Sequence, residues 1–190
     1  MCGRLNIIDD PFSHYVSEQL GLAFSTLPRD EAYPSEQLDC VVSGNDNQLF
    51  QLPLSWGIKP QWSNKLIINA QAESVRSKTT FAHAYANHRV IVPCSGWFEW
   101  RTHDNGEKSK FLFQSVNGEP LYMVGIGYPD THQVVTLTTA PSLSYREYHH
   151  RMPLIVSSEQ AKLWLLPITT GYPSFLDQAV SDAFWKVKGL

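Results

Sequence analysis

The chain has no long apolar run. Its longest uncharged apolar stretches, such as Leu163 to Ile168, fall far short of the roughly 20 residues a membrane-spanning helix needs. At Met1-Cys2-Gly3-Arg4-Leu5-Asn6 no basic segment leads into an apolar one, so no export signal is visible and the cytoplasm is the expected compartment. Cysteine is scarce. Three residues, Cys2, Cys40 and Cys94, are too few and of the wrong parity for a disulfide framework. No Cys-x-x-Cys occurs, which leaves a structural zinc site without its usual ligand pair; no metal and no cofactor are expected. Charge is sparse as well, 17% with a net of −3, which excludes a generally cationic nucleic-acid binder but not a local basic groove. Internal repeats, low-complexity tracts and linker-like shifts of composition are absent, so residues 1–190 read as one domain.

Hydrophobic residues, by contrast, make up 43% of the 190, enough for a substantial core and incompatible with disorder. Asp10-Pro11 reads as a helix start, with Asp as cap and Pro in the first turn, and the helical spacing of Phe12, Tyr15, Val16 and Leu20 stops at Gly21. A second helix is expected over Phe81 to Ala86 and a fourth, short one over Ser174 to Phe184. A third follows the capping box of Ser157 and Gln160. Segments 48–54, 88–94, 97–102, 110–115, 121–126 and 133–139 are rich in β-branched and aromatic residues and read as strands. Turn signals at Gly44-Asn45-Asp46-Asn47, Asp104-Asn105-Gly106 and Asn117-Gly118 separate several of them. Long helices do not alternate with strands, which disfavours a doubly wound parallel sheet. The expected fold is α+β, a mixed but largely antiparallel β core with peripheral helices.

Four positions stand out chemically. If Met1 is removed, Cys2 carries an α-amine and a thiol on one residue, with ordinary pKa values of roughly 7.7–8.0 and about 8.5. Such an aminothiol condenses with an aldehyde to an imine and closes a thiazolidine ring; the plainer alternative is a packed cysteine. Glu99, in Ser95-Gly96-Trp97-Phe98-Glu99-Trp100, is either a desolvated acid–base group or the water-facing residue of an alternating strand. The Gly96 before that aromatic run suggests a bend or a close backbone approach. His149 precedes Arg151-Met152-Pro153-Leu154-Ile155-Val156 and reads equally as an acid–base group or a loop histidine. Asn69, directly after an apolar run, fixes a loop or orients a small polar substrate. From Lys59 to Phe98 there are five cations (Lys59, Lys65, Arg76, Lys78, Arg89) against one acid, Glu73, with Trp56, Trp62 and Tyr85 interleaved. That pattern fits a single-stranded DNA groove, or a solvated basic face over core aromatics.

Taken in order, Met1-Cys2-Gly3-Arg4, Ile68-Asn69-Ala70 with Glu73, Gly96-Trp97-Phe98-Glu99-Trp100, Leu137-Thr138-Thr139-Ala140 and His149-His150-Arg151-Met152-Pro153-Leu154 resemble the SRAP family, the SOS-response-associated proteins that process abasic sites. The likeness spans Cys2 to about Trp164. It implies a compact, barrel-like β fold with a DNA groove, and covalent capture of abasic sites in single-stranded DNA by Cys2 as a thiazolidine. It further implies that Asn69, Glu99 and His149 are the catalytic partners and that Arg4, Trp62, Thr138 and Arg151 contact DNA, to which the basic stretch adds Lys65, Arg76 and Lys78. A monomer without membrane association is expected, with AP-lyase activity from the imine stage and self-removal of Met1 as side activities. The sequence departs from the family at Gln71, where members often carry Arg, at Thr79, and at Ala32-Tyr33-Pro34, the remnant of an Asn-x-Ala-Pro segment. Two rival readings stay open: a Cys2-dependent N-terminal-nucleophile peptidase, and a non-catalytic single-stranded DNA binder.

Overall fold

The computed structural model describes residues 2–8, 10–167 and 185–190. Thirteen strands and three α-helices are found there. In chain order they are β1 (Leu5–Ile7), α1 (Phe12–Leu20), β2 (Arg29–Ala32), β3 (Gln37–Ser43), β4 (Leu49–Trp56), β5 (Asn69–Gln71), α2 (Thr79–Asn87), β6 (Arg89–Cys94), β7 (Gly96–Thr102), β8 (Lys108–Ser115), β9 (Leu121–Tyr128), β10 (Gln133–Thr139), β11 (Met152–Pro153), β12 (Ile155–Val156), α3 (Ser158–Leu165) and β13 (Trp185–Gly189). The segment 174–184, read above as a helix, lies outside the described residues.

Five strands close on themselves. β3 pairs with β4 and β6, β6 with β9, and β9 with β10, all antiparallel; β10 then returns to β4 in parallel and completes the ring. A closed ring has no unpaired edge strand, and its inward residues need no second layer to bury them. β5 adds a second parallel neighbour to β10, placing Asn69 opposite Thr136. The other sheet is antiparallel throughout, in the order β13-β8-β7-β1-β2. The expected mixed, largely antiparallel core with outlying helices is what forms.

Local chemistry sets the element ends. Gly21 stops α1 in the left-handed conformation, at φ 76°, where its N–H reaches the Ser17 carbonyl. At the other end Pro11 itself takes the cap position, so α1 begins one residue later than the Asp10-Pro11 reading, with no side-chain cap at Pro11. The Ser157–Gln160 capping box is complete in both directions and starts α3. α3 then docks on the ring through buried Trp164, whose indole donates to the carbonyls of Val90 and Gly125. On the five-stranded sheet lies an aromatic cluster: Trp97 stacks on Phe113 at 5.1 Å, and Tyr145 and Trp185 pack on Phe113 at 4.8 and 5.2 Å. Gly96 makes this packing possible. A Cβ there would stand 2.3 Å from the Phe113 carbonyl oxygen, so the close backbone approach inferred from the sequence is real.

Candidate active site

β1 and β7 run antiparallel, with Leu5 opposite Trp97 and the Phe98 N–H donating to the Arg4 carbonyl. This pairing carries the N-terminal segment past Glu99 towards the β5–β10 edge of the other sheet. There the Asn69 side chain donates through Nδ2 to the Cys2 carbonyl at 2.8 Å. Asn69 is itself held, because the Thr136 hydroxyl donates to its Oδ1 at 2.6 Å. That second bond fixes which end of the amide faces Cys2.

Cys2 is buried, 1% exposed, and burial pushes its thiol well above the ordinary range, with Glu99 and Cys94 adding to the effect. Glu99 is 2% exposed, so the water-facing alternative fails. Desolvation raises its carboxyl, while the positive charge of the chain's amino terminus and, after it, the nearby Tyr145 hydroxyl work the other way. Tyr145 is fully buried and accepts a hydrogen bond from the indole of Trp97 at 3.1 Å. Cys2, Asn69 and Glu99 are therefore brought together where the two sheets meet.

His149 enters from the turn that carries Tyr145, its N–H donating to the Tyr145 carbonyl. The Arg151 main chain holds the ring at Nδ1, which lies 3.0 Å from the Arg151 N–H and 3.1 Å from the Arg151 carbonyl oxygen. Burial, then the charge of the chain's amino terminus, and then His150, stacked at 4.2 Å, bring His149 down to about 4. It is a neutral imidazole at physiological pH, able to offer an N–H dipole but not a positive charge.

The residues expected at a DNA surface divide into two groups. Trp62, 71% exposed, and Lys65 project from the loop between β4 and β5, while Arg76 and Lys78 are exposed just before α2. Arg4 lies over the Tyr33 ring at 3.9 Å and 3.7 Å from the Glu31 carboxylate. Arg151 is turned inward, forked onto Glu73 at 3.0 and 2.7 Å and donating to the Thr138 carbonyl at 2.6 Å. Although burial alone would raise the Glu73 carboxyl, Arg151 together with the main-chain N–H groups of Glu73 and Ala140 more than offsets this and lowers it. Thr138 is 2% exposed and its hydroxyl donates to Ala70. The cationic stretch also needs correcting: Arg89 is buried, donating to the carbonyls of Tyr85 and Trp164, and Trp56 and Tyr85 are interior. Its length covers a ring strand as well as a surface, which composition alone does not distinguish. A cavity of about 820 Å³ borders Arg89, Phe50 and Tyr128, but none of Cys2, Asn69, Glu99 and His149 lines it.

Sequence reasoning did not assign Thr136 or Tyr145. A hydroxyl inside the apolar strand Val134-Val135-Thr136-Leu137 was the available signal for Thr136, since a buried hydroxyl needs a partner. Nothing local marked Tyr145, which sits in an irregular turn.

Comparison with known proteins bears on the family and the fold. Abasic site processing protein YoaM of Bacillus subtilis is 28% identical, over 93% of this chain and 83% of its own. Abasic site processing protein YedK of Escherichia coli is 27% identical, over 87% of this chain and 79% of its own. The crystal structure of a phage-related protein from Bordetella bronchiseptica superposes with a TM-score of 0.82 at 21% identity, covering 100% of this chain and 94% of that one, which establishes the shared fold. The profile of the SOS response associated peptidase (SRAP) family matches residues 1–184, and this chain belongs to that family.

Proposed function

We propose that this protein captures abasic sites in single-stranded DNA by closing a thiazolidine on Cys2 once Met1 has been removed. The observation that carries the reading is the Asn69 amide fixing the Cys2 main chain beside the buried Glu99 carboxylate. YoaM and YedK, similar over most of this chain, are both named as abasic-site processing proteins.

An abasic deoxyribose must first open from its hemiacetal to the aldehyde. The Cys2 amine adds to that carbonyl carbon and water leaves, giving an imine. The sulfur then adds to the imine carbon and the thiol proton passes to nitrogen, closing a five-membered ring; aldehyde plus aminothiol gives thiazolidine plus water. Burial keeps the Cys2 thiol protonated, so the amine reacts first. Glu99, its carboxyl raised by desolvation, is matched to accept and return the amine and thiol protons. His149, neutral and tied at Nδ1, assists ring opening through its other nitrogen. Trp62 stacks a base, while Arg4, Lys65, Arg76 and Lys78 meet phosphates. Thr138 and Arg151 act from beneath, bracing the β5 side of the groove through Glu73. The imine stage also permits β-elimination of the 3′ phosphate, a lyase side reaction.

The test is the intact mass of the purified protein before and after incubation with an oligonucleotide carrying one abasic site. Loss of the Met1 mass followed by a heat-stable adduct, absent in Cys2→Ala, is the expected result. Processed protein that forms no adduct overturns the reading. A stable adduct that survives in Cys2→Ser also overturns it, because a hydroxyl cannot replace the sulfur of a thiazolidine.

A further inference from the structure

We propose that the outer face of the five-stranded sheet is a further DNA-contact surface, on which Lys108, Lys110 and Lys188 carry one arm of the single strand away from Cys2, and on which the Glu31 carboxylate holds the place of a phosphate until the strand arrives. The inference rests on the reading of single-stranded DNA as the substrate, but not on thiazolidine closure.

Strand register assigns the face. Between β7 and β8, Phe98 stands opposite Leu112, Trp100 opposite Lys110 and Thr102 opposite Lys108. Between β8 and β13, Lys188 stands opposite Leu112 and Lys186 opposite Gln114. Residues directly opposite one another share a side of the sheet, and the alternate ones, Trp97, Glu99 and Phe113, share the other. Phe98 and Leu112 stand apart from the main core, and Lys110 lies over the Phe98 ring at 4.3 Å. Arg4, whose carbonyl accepts from the Phe98 N–H, adds its cation at the β1 side, two residues from Cys2. Four lysines and an arginine thus share this face with Trp100 and Tyr33, both exposed. Against them stands Glu31, with Asp104 and Glu107 in the turn at the end of the sheet.

A row of lysines alone would also serve to guard the edge strand β13. The arrangement around Glu31 goes further. Its two oxygens are divided, Oε1 bonded by Lys110 and Oε2 lying 3.7 Å from Arg4 Nε. Each cation also has an aromatic face beside it: Tyr33 at 3.9 Å from Arg4, Phe98 and Trp100 at 4.3 and 5.6 Å from Lys110. Cations for phosphates and ring faces for bases are the parts with which single-strand surfaces hold a nucleotide. A phosphodiester carries the same single charge as Glu31, so it can take the carboxylate's place and leave neither cation unpaired. Lys188 sits one strand spacing, about 4.8 Å, beyond β8, and Lys108 lies two residues along from Lys110. Lys186 is engaged with the Val116 carbonyl at 3.2 Å. Trp62, Lys65, Arg76 and Lys78 belong to connections of the other sheet, so the two surfaces lie on different sheets with Cys2 at their junction.

The experiment measures affinity against salt by fluorescence anisotropy, on a single strand carrying a tetrahydrofuran abasic mimic, which has no aldehyde to capture. Wild type, Lys108→Gln/Lys110→Gln/Lys188→Gln and Glu31→Gln are compared on the full strand and on strands trimmed to the 5′ or the 3′ side of the mimic. In the triple variant the slope of log affinity against log salt becomes shallower by about 0.7 for each lysine that meets a phosphate, roughly 2 in all. Trimming one arm, and only that one, erases the difference from wild type. Glu31→Gln binds about twofold to fivefold tighter, the effect of dissolving one exposed ion pair. An unchanged slope, or a difference that survives the trimming of either arm, overturns the surface. Affinity of Glu31→Gln at or below wild type overturns the role of Glu31. If the triple variant does not fold, Lys108→Gln/Lys188→Gln, both at exposed positions, keeps the test with a slope change of about 1.4. Should the slopes change as stated while wild type forms no heat-stable adduct with an authentic abasic strand, thiazolidine closure fails and the surface stands. Wild type that binds no single strand at all overturns both.

Discussion

Asn69 holds the main-chain carbonyl of Cys2, not its thiol, at 2.8 Å. The amide therefore aligns the residue that is to react and leaves both its nucleophilic atoms available. In Asn69→Ala, adduct formation is expected to slow about tenfold, the equivalent of one hydrogen bond of roughly 1.4 kcal/mol, with affinity for the oligonucleotide nearly unchanged. Thr136→Val keeps Asn69 but loses the bond that orients it at 2.6 Å. It should fall between wild type and Asn69→Ala. Single-turnover kinetics at saturating DNA separate the cases, and a Thr136→Val variant slower than Asn69→Ala would contradict this ordering.

Trp62 is 71% exposed, so little of its side chain is packed against the fold. Trp62→Ala should leave unfolding within about 0.5 kcal/mol of wild type. Loss of one stacked base should weaken single-strand binding by about 1–3 kcal/mol, a factor of roughly 5 to 150. Fluorescence anisotropy on an intact single strand, set beside chemical denaturation, measures both. An unchanged affinity removes Trp62 from the DNA surface.

Gly96→Ala tests the joint between the aromatic cluster and β8. The added methyl would lie 2.3 Å from the Phe113 carbonyl oxygen, which is main chain and cannot swing aside. β7 must then shift away from β8, taking Trp97 and Glu99 with it. A destabilisation of at least 2–3 kcal/mol in urea is expected, the range of core overpacking. Adduct formation should be lost in whatever fraction remains folded.

These residues also show what could be read in advance and what could not. Gly96, the Ser157–Gln160 box, the Gly21 stop and the Glu99 strand were legible because each depends on its immediate neighbours. The short strands β1, β5, β11 and β12, of two or three residues, carry no periodic signal and exist only because longer partners fix them. Closure of the ring by β10 running parallel to β4 is likewise a long-range fact. Of the site, Cys2, Asn69 and Glu99 were legible as candidates from their residue types and from the order of motifs. Thr136 and Tyr145 were not, since their importance lies in partners 67 residues away for Asn69 and 48 for Trp97. Arg89 went the other way: its charge suggested a surface, whereas carbonyls at the ends of two helices hold it inside.

The last prediction concerns pH and follows from the burial of Glu99. Desolvation raises its folded-state carboxyl above the unfolded value of about 4.3, so the folded protein binds this proton more tightly than the unfolded chain does. The stability attached to that proton is complete below the unfolded value and is lost as pH rises through the folded one. At neutral pH the ionised carboxylate is therefore a burden on the fold, retained for its chemistry. Glu99→Gln removes the burden while keeping the side chain's shape and one acceptor oxygen. It should melt higher than wild type at pH 7–8, with the advantage fading as pH falls through the raised folded-state value and gone by about 4, where wild type is protonated in both states. Adduct formation should drop by roughly 10²–10⁴, the usual contribution of a general acid–base group. Melting curves from pH 3 to 8 and adduct kinetics on the same preparations check both halves. A variant less stable than wild type at pH 8 would show that hydrogen bonding, not desolvation, dominates the energetics of Glu99.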